Sequence, residues 1–165
     1  MDSKVRAIVI TVSDACSRGE REDASGEALV ELLQGIGAEI VDRIIVSDDL
    51  EPLIELLKAG DDRPDINLVI TTGGTGVAPR DNTPEATLAV IEHEVPGIAE
   101  AMRMQTLAQT PMAMISRGVC GIRSGTLIIN LPGSPKAVRE SFAVIAPVLH
   151  HAIALILGNP GGNLH

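Results

Sequence analysis

The sequence predicts an α/β domain of three layers (αβα), with a mostly parallel central sheet covered by helices on both faces. Three features carry this expectation. Hydrophobic residues make up 45% of the 165-residue chain, yet it holds one phenylalanine and no tryptophan or tyrosine, so its core must be aliphatic. Such cores suit parallel strands buried on both faces. Strand-like and helix-like patterns alternate along the chain. The third strand-like run ends in a glycine-dense loop, at the edge where open α/β sheets bind their ligands. A chain of this length buries a sizeable core without disulfides or a structural metal. No repeat, linker or low-complexity tract divides it, so residues 1–165 are expected to form one domain.

The elements follow in order. Val5 to Val12 is nearly continuous β-branched hydrophobe, the pattern of a central strand, and Ser13 to Asp23 is a polar loop. From Ser25, the residues Ala28, Leu29, Leu32, Leu33 and Ile36 recur at helical spacing, with Gly35 and Gly37 as the stop. Ile40 to Val46 reads as a second strand. Asp48-Asp49-Leu50-Glu51 then matches a capping box opening a helix through Leu57. Asp61 to Asp65 is a proline-bearing turn, and Ile66 to Thr71 is the third strand. Thr83-Pro84-Glu85 has the order of an N-cap, a proline at the first helical position and a first-turn acid, which predicts a helix to about Glu94. Pro96-Gly97 breaks that pattern, and a further helix runs through Leu107. Met112 to Ser124 is irregular. Thr126 to Leu131 is a fourth strand, and Ser134 caps a final helix that Pro147 should kink or split.

Several function classes are excluded. A net charge of −9 opposes tracking of a nucleic-acid backbone, and the missing aromatics remove the stacking platforms that single strands need. Cys16 and Cys120 have no CxxC spacing, and the four histidines, His93, His150, His151 and His165, show no ligand spacing, so neither zinc nor a histidine base is expected. Ser13, Ser134 and Cys16 lack a histidine partner for covalent catalysis. The N-terminal apolar run is too short and too Arg-interrupted for a signal peptide, and Phe142 to Leu157, broken by Pro147 and two histidines, falls short of a membrane span. A soluble cytoplasmic protein with free thiols is expected.

Four loops occupy the carboxyl edge of the predicted sheet: Ser13-Asp14, Ser47-Asp48-Asp49, Thr72 to Asp81, and Pro132 to Lys136. The third has glycines at three of four positions, Gly73, Gly74 and Gly76 around Thr75, which lets successive N–H groups approach and cradle an anion. It fits neither GxxxxGK[ST] nor GxGxxG. Asp48 and Asp81 are the carboxylates best placed to hold Mg²⁺, although Asp48 has an equal claim as a helix cap. Lys136, just inside a helix start where a cation is disfavoured, is a candidate for binding an anion together with the Ser134 hydroxyl. Arg123 in the glycine-bounded stretch Gly121 to Gly125 is a further candidate, with Arg117 and Arg18 weaker ones.

Val12-Ser13-Asp14, Asp23-x-Ser25-Gly26, the long block from Thr71 through Arg80-Asp81 to Thr87, and Leu131-Pro132-Gly133-Ser134-Pro135-Lys136 together resemble the molybdopterin-binding MogA/MoaB family, over about Val5 to Leu157. The resemblance implies a MogA-like fold and an Mg²⁺-dependent adenylyl transfer. In it, the terminal phosphate of molybdopterin attacks the α-phosphate of ATP, giving adenylyl-molybdopterin and pyrophosphate. It implies Asp48 and Asp81 as the essential, metal-holding aspartates. Thr72, Gly73, Gly74, Thr75, Gly76 and Arg80 would hold nucleotide phosphate, while Ser13, Asp14, Arg123, Ser134 and Lys136 would line a pterin-phosphate pocket. It further implies a homotrimer and hand-over of product to a molybdenum-insertion protein. Two other readings stand beside it: a pterin carrier of the same family without turnover, and a nucleotide pyrophosphatase on the same scaffold.

Overall fold

The computed structural model describes residues 4–61 and 63–159. Its strands are β1 (Arg6–Val12), β2 (Glu39–Val46), β3 (Leu68–Thr72), β4 (His93–Glu94), β5 (Cys120–Arg123) and β6 (Thr126–Leu131). The helices are α1 (Asp14–Ser17), α2 (Ala24–Gly35), α3 (Leu50–Asp61), α4 (Thr83–Val90), α5 (Pro96–Thr106) and α6 (Pro135–Ile156), with a 3₁₀ turn at Pro111–Ile115. Asp62, within the predicted Asp61 to Asp65 turn, and His165 lie outside the described residues.

One six-stranded sheet has the order β2-β1-β3-β6-β5-β4. β2, β1, β3 and β6 run parallel, and β5 is antiparallel to both β6 and β4. Alternate residues of each central strand enter opposite cores. Ala7, Val9, Leu68, Ile70, Leu127 and Ile129 pack beneath α2, α5 and α6, while Ile8, Ile10, Val69 and Ile128 pack beneath α3 and α4. Helices therefore cover both faces, as the aliphatic strands require. From β1 the chain winds through α2 to β2 on one side. From β2 it winds through α3 to β3 on the other. The loops after β1 and β3 diverge at this switch point and leave a crevice beyond the strand ends.

The structure departs from the sequence-based expectations in several places. The Ser13 to Asp23 loop opens with the one-turn helix α1, because the Ser13 hydroxyl accepts the Cys16 N–H at 3.2 Å. Thr83 is not a cap but the first residue of α4, and its hydroxyl turns instead to the glycine loop. α4 stops at Val90, and β4 and β5 occupy stretches expected to be helical or irregular. Pro147 does not split α6, which stays continuous over 22 residues. α6 is long and apolar enough to cross a membrane by composition, yet Val138, Phe142, Ile145, Leu149 and Ile153 lie buried in the core.

Candidate active site

A cleft of about 680 Å³ opens at the switch point, between the loop after β1, the glycine loop after β3 and the turn into α6. Gly73 and Gly74 take φ of +99° and +69°, conformations that favour glycine. Space demands glycine as well: a Cβ on Gly73 would collide with the Val12 carbonyl oxygen, and one on Gly74 with the Thr83 hydroxyl. The loop is fastened from three sides. Gly73 N–H donates to Leu131 O (3.1 Å), and Thr83 binds both glycine carbonyls, its hydroxyl donating to Gly73 O (2.9 Å) and its N–H to Gly74 O (3.1 Å). Thr72 donates its hydroxyl to Pro132 O (2.7 Å), tying the glycine loop to the turn before α6.

Arg117 fastens the far end of the same loop. Its N–H donates to Thr75 O (2.7 Å), Nε to Gly76 O (2.6 Å) and Nη2 to Asp81 O (2.8 Å), while Nη1 pairs with Glu85. A planar guanidinium with several fixed donors suits this bridging of carbonyls and a carboxylate. The Asp81 carboxylate accepts the Ala78 N–H at 2.9 Å, which closes the loop on itself.

Asp48 and Asp81 both line the cleft. The capping box expected at Asp48 is replaced by a reciprocal bridge: Asp14 N–H donates to Asp48 Oδ2 and Asp48 N–H to Asp14 Oδ1, each at 3.0 Å. The bridge ties the loops after β1 and β2 together. Burial pushes the Asp48 carboxyl above its ordinary value, and the charges of Asp14 and Asp81 add to the push. Asp14 is held down at about 2, chiefly by Arg80, which donates Nε and Nη2 to its two oxygens at 2.7 and 2.9 Å. Arg80 also donates Nη2 to Asp49 Oδ1 at 2.9 Å. Arg80 and Asp14 thus join the three loops around Asp48 and neutralise each other.

The remaining predicted residues divide. Ser13 and Ser134 reach the cleft, and each also caps its helix, Ser134 accepting the Ala137 N–H at 3.2 Å. Lys136 does not line the cleft; its ammonium is largely exposed and lies 3.9 Å from Glu140. Arg123 lies at the opposite edge of the sheet. It pairs with Thr126 at the start of β6, five residues before the cleft edge at Leu131, or about 17 Å at the rise of a strand. There it donates Nη1 to Val90 O at 3.0 Å. Burial pushes the Cys120 thiol up to about 12, so that thiol is no nucleophile.

Two features escaped the sequence. Arg21, in the charged run Arg18 to Asp23, lines the cleft and donates Nη2 to the Ser13 hydroxyl at 3.3 Å; its place in the loop after β1 was the available signal. A second, mostly apolar pocket of about 230 Å³ lies across Gly133 and Ser134 from the main cleft, walled by Met102, Thr106, Ala113 and Ser116. It depends on the unexpected strand β5 to bring the Pro111–Ile115 turn to the carboxyl edge, and local patterning carries no signal of that.

Residues 8–151 match the family described as a probable molybdopterin binding domain. The chain is 42% identical over 153 residues to a molybdopterin adenylyltransferase of Helicobacter pylori, covering 92% of this chain and 87% of that protein. It is 43% identical to the molybdenum cofactor synthesis protein cinnamon of Drosophila melanogaster, over 90% of this chain but only 25% of that longer protein. The crystal structure of the molybdopterin biosynthesis enzyme MoaB from Thermus thermophilus superposes with a TM-score of 0.89 at 47% identity, over 96% of this chain and 99% of that one.

Proposed function

The chain belongs to the molybdopterin-binding family of MogA and MoaB, and from that premise we propose that it transfers AMP from ATP to the terminal phosphate of molybdopterin. The observation that carries this reading is the convergence of Asp48 and Asp81 on one cleft with a glycine loop fixed on three sides. The acceptor is already a phosphate and needs no general base, so positioning and charge neutralisation suffice. Backbone N–H groups of the glycine loop are the donors for nucleotide phosphate. The apolar pocket beyond Gly133 takes the pterin ring and leaves its phosphate at the loop.

The donor set fits Mg²⁺. Two hard carboxylates line the cleft, and the charged form of the half-buried Asp48 is disfavoured by burial and by the charges of Asp14 and Asp81. Mg²⁺ takes one or two protein carboxylates and fills its shell with phosphate oxygens and water, the number that Asp48 and Asp81 offer at the cleft. Asp48 and Asp81 would hold it, and it would supply neutralisation of phosphate charge. The exposed apolar residues Met104, Leu107, Met112, Met114 and Ile115 support self-association, and we infer the trimer usual in this family. A cytoplasmic location accords with the free thiols Cys16 and Cys120.

Incubation with molybdopterin, ATP and Mg²⁺ tests the reading, with adenylylated pterin and pyrophosphate as the expected products. Absence of both refutes it. Pterin binding without turnover would identify a carrier, and AMP release without pterin a pyrophosphatase. Sedimentation of the purified chain tests the trimer.

A further inference from the structure

The acidic cleft must receive a polyanion, yet the cations nearest to it are already engaged by carboxylates. Arg80 is held by Asp14 and Asp49, Arg117 by Glu85, Arg18 by Glu20 and Arg43 by Asp23. Arg21 differs. Arg21 lines the cleft, and its guanidinium donates to a neutral hydroxyl, that of the cleft residue Ser13. Among the described residues, its charge is therefore available to a ligand in the cleft without breaking an ion pair.

The layout indicates which anion it meets. Gly133 and Ser134 separate the apolar pocket from the main cleft, and Arg21 lines only the latter. In adenylyl transfer a pterin-phosphate oxygen forms a bond to the α-phosphorus, while the bond from that phosphorus to the bridging oxygen breaks and its electron pair leaves with pyrophosphate. Attack and departure are in line. With the pterin in the apolar pocket, the leaving group points away from it and into the main cleft. We propose that Arg21 binds the β- and γ-phosphates of the nucleotide, and so the departing pyrophosphate. The inference rests on the adenylyl-transfer reading above. A bidentate guanidinium suits two adjacent phosphoryl groups and selects a triphosphate over AMP.

Isothermal titration of wild type, Arg21→Ala and Arg21→Lys with ATP, AMP and inorganic pyrophosphate, each with Mg²⁺, tests the proposal. Arg21→Ala should weaken ATP and pyrophosphate by about tenfold or more, the scale of a lost hydrogen bond to a charged group, and leave AMP unchanged. Arg21→Lys should fall between, since it keeps the charge and loses the fork. All three should melt together, because Arg21 is exposed. Unchanged ATP binding by Arg21→Ala, or equal losses for ATP and AMP, would overturn the assignment and leave the transferase reading standing. Failure of the wild type to bind ATP would overturn both.

Discussion

Replacing Thr83 with valine keeps the shape of a fully buried side chain and removes one hydroxyl. That hydroxyl donates to Gly73 O at 2.9 Å, and both residues are buried. Gly73 O loses that donor in a buried hydrogen bond, a cost of about 1–3 kcal/mol. For a chain of this size, the middle of that range lowers the melting temperature by about 4–8 °C. The loop should also shift. Thr83 holds the Gly73 and Gly74 carbonyls, so the N–H groups that would meet phosphate move with them, and a misplacement of about 1 Å can cost a hundredfold in rate. Thermal unfolding followed by circular dichroism and a pyrophosphate-release assay, run well below the melting point, read the two effects separately. Thr83→Ser restores the donor and should recover most of both. Thr83→Val that melts with the wild type and keeps full kcat/KM would refute the claim that this hydroxyl fastens the loop.

Gly73→Ala should lose at least about 3 kcal/mol in urea unfolding, since strain at positive φ adds to a collision with Val12 O. Gly125→Ala, at φ +80° with nothing near its Cβ, should lose only about 1–2 kcal/mol, so similar midpoints for the two variants would contradict the packing argument. Asp81→Asn should abolish transfer and leave melting unchanged, because the amide oxygen can still accept the Ala78 N–H; global unfolding would mark Asp81 as structural. Asp48→Asn should inactivate the enzyme yet raise its melting temperature at pH 7. The folded-state pKa of Asp48 lies above its ordinary 3.8, so stability it contributes below that value is lost as pH rises through the folded value. The neutral amide escapes that loss while its oxygen still accepts the Asp14 N–H. The gain should vanish near pH 3, where both states of the wild type are protonated, and a gain that persists there would contradict the electrostatic cause.

The parallel part of the fold was legible because each strand there is a near-continuous aliphatic run and each helix has its own apolar stripe and stop. Val5 to Val12 and Thr126 to Leu131 match β1 and β6 within a residue. β4 and β5 were not legible. They are only two and four residues long, and Gly121 interrupts β5. That glycine has a reason visible only in three dimensions, since a Cβ there would press on Ile91 and on His93 O. Caps were misjudged for a related cause. Asp48 and Thr83 have cap chemistry and cap spacing, but tertiary partners, Asp14 and Gly73, compete for the same groups and win.

The position of Arg123 shows how topology decides chemistry. Glycines on either side of an arginine near a parallel strand point to a binding loop only if the segment ends at the carboxyl edge. β5 runs antiparallel, so its end carries Arg123 away from the cleft and its beginning brings Ser116, Arg117 and Gly118 toward it. The same reversal turns Arg117 from an ordinary surface cation into the clamp on Thr75, Gly76 and Asp81. Charge then sorts the rest. Arg80 keeps Asp14 ionised and is itself engaged, and its charge offsets only part of the push that Asp14 and Asp81 exert on Asp48. A cleft built this way is short of positive charge until a cation and a polyanion enter together, and it stays less stable for that reason. Stability gained by neutralising Asp48 and activity lost with it are therefore two readings of one electrostatic arrangement, and they should move together in any variant that alters its charge.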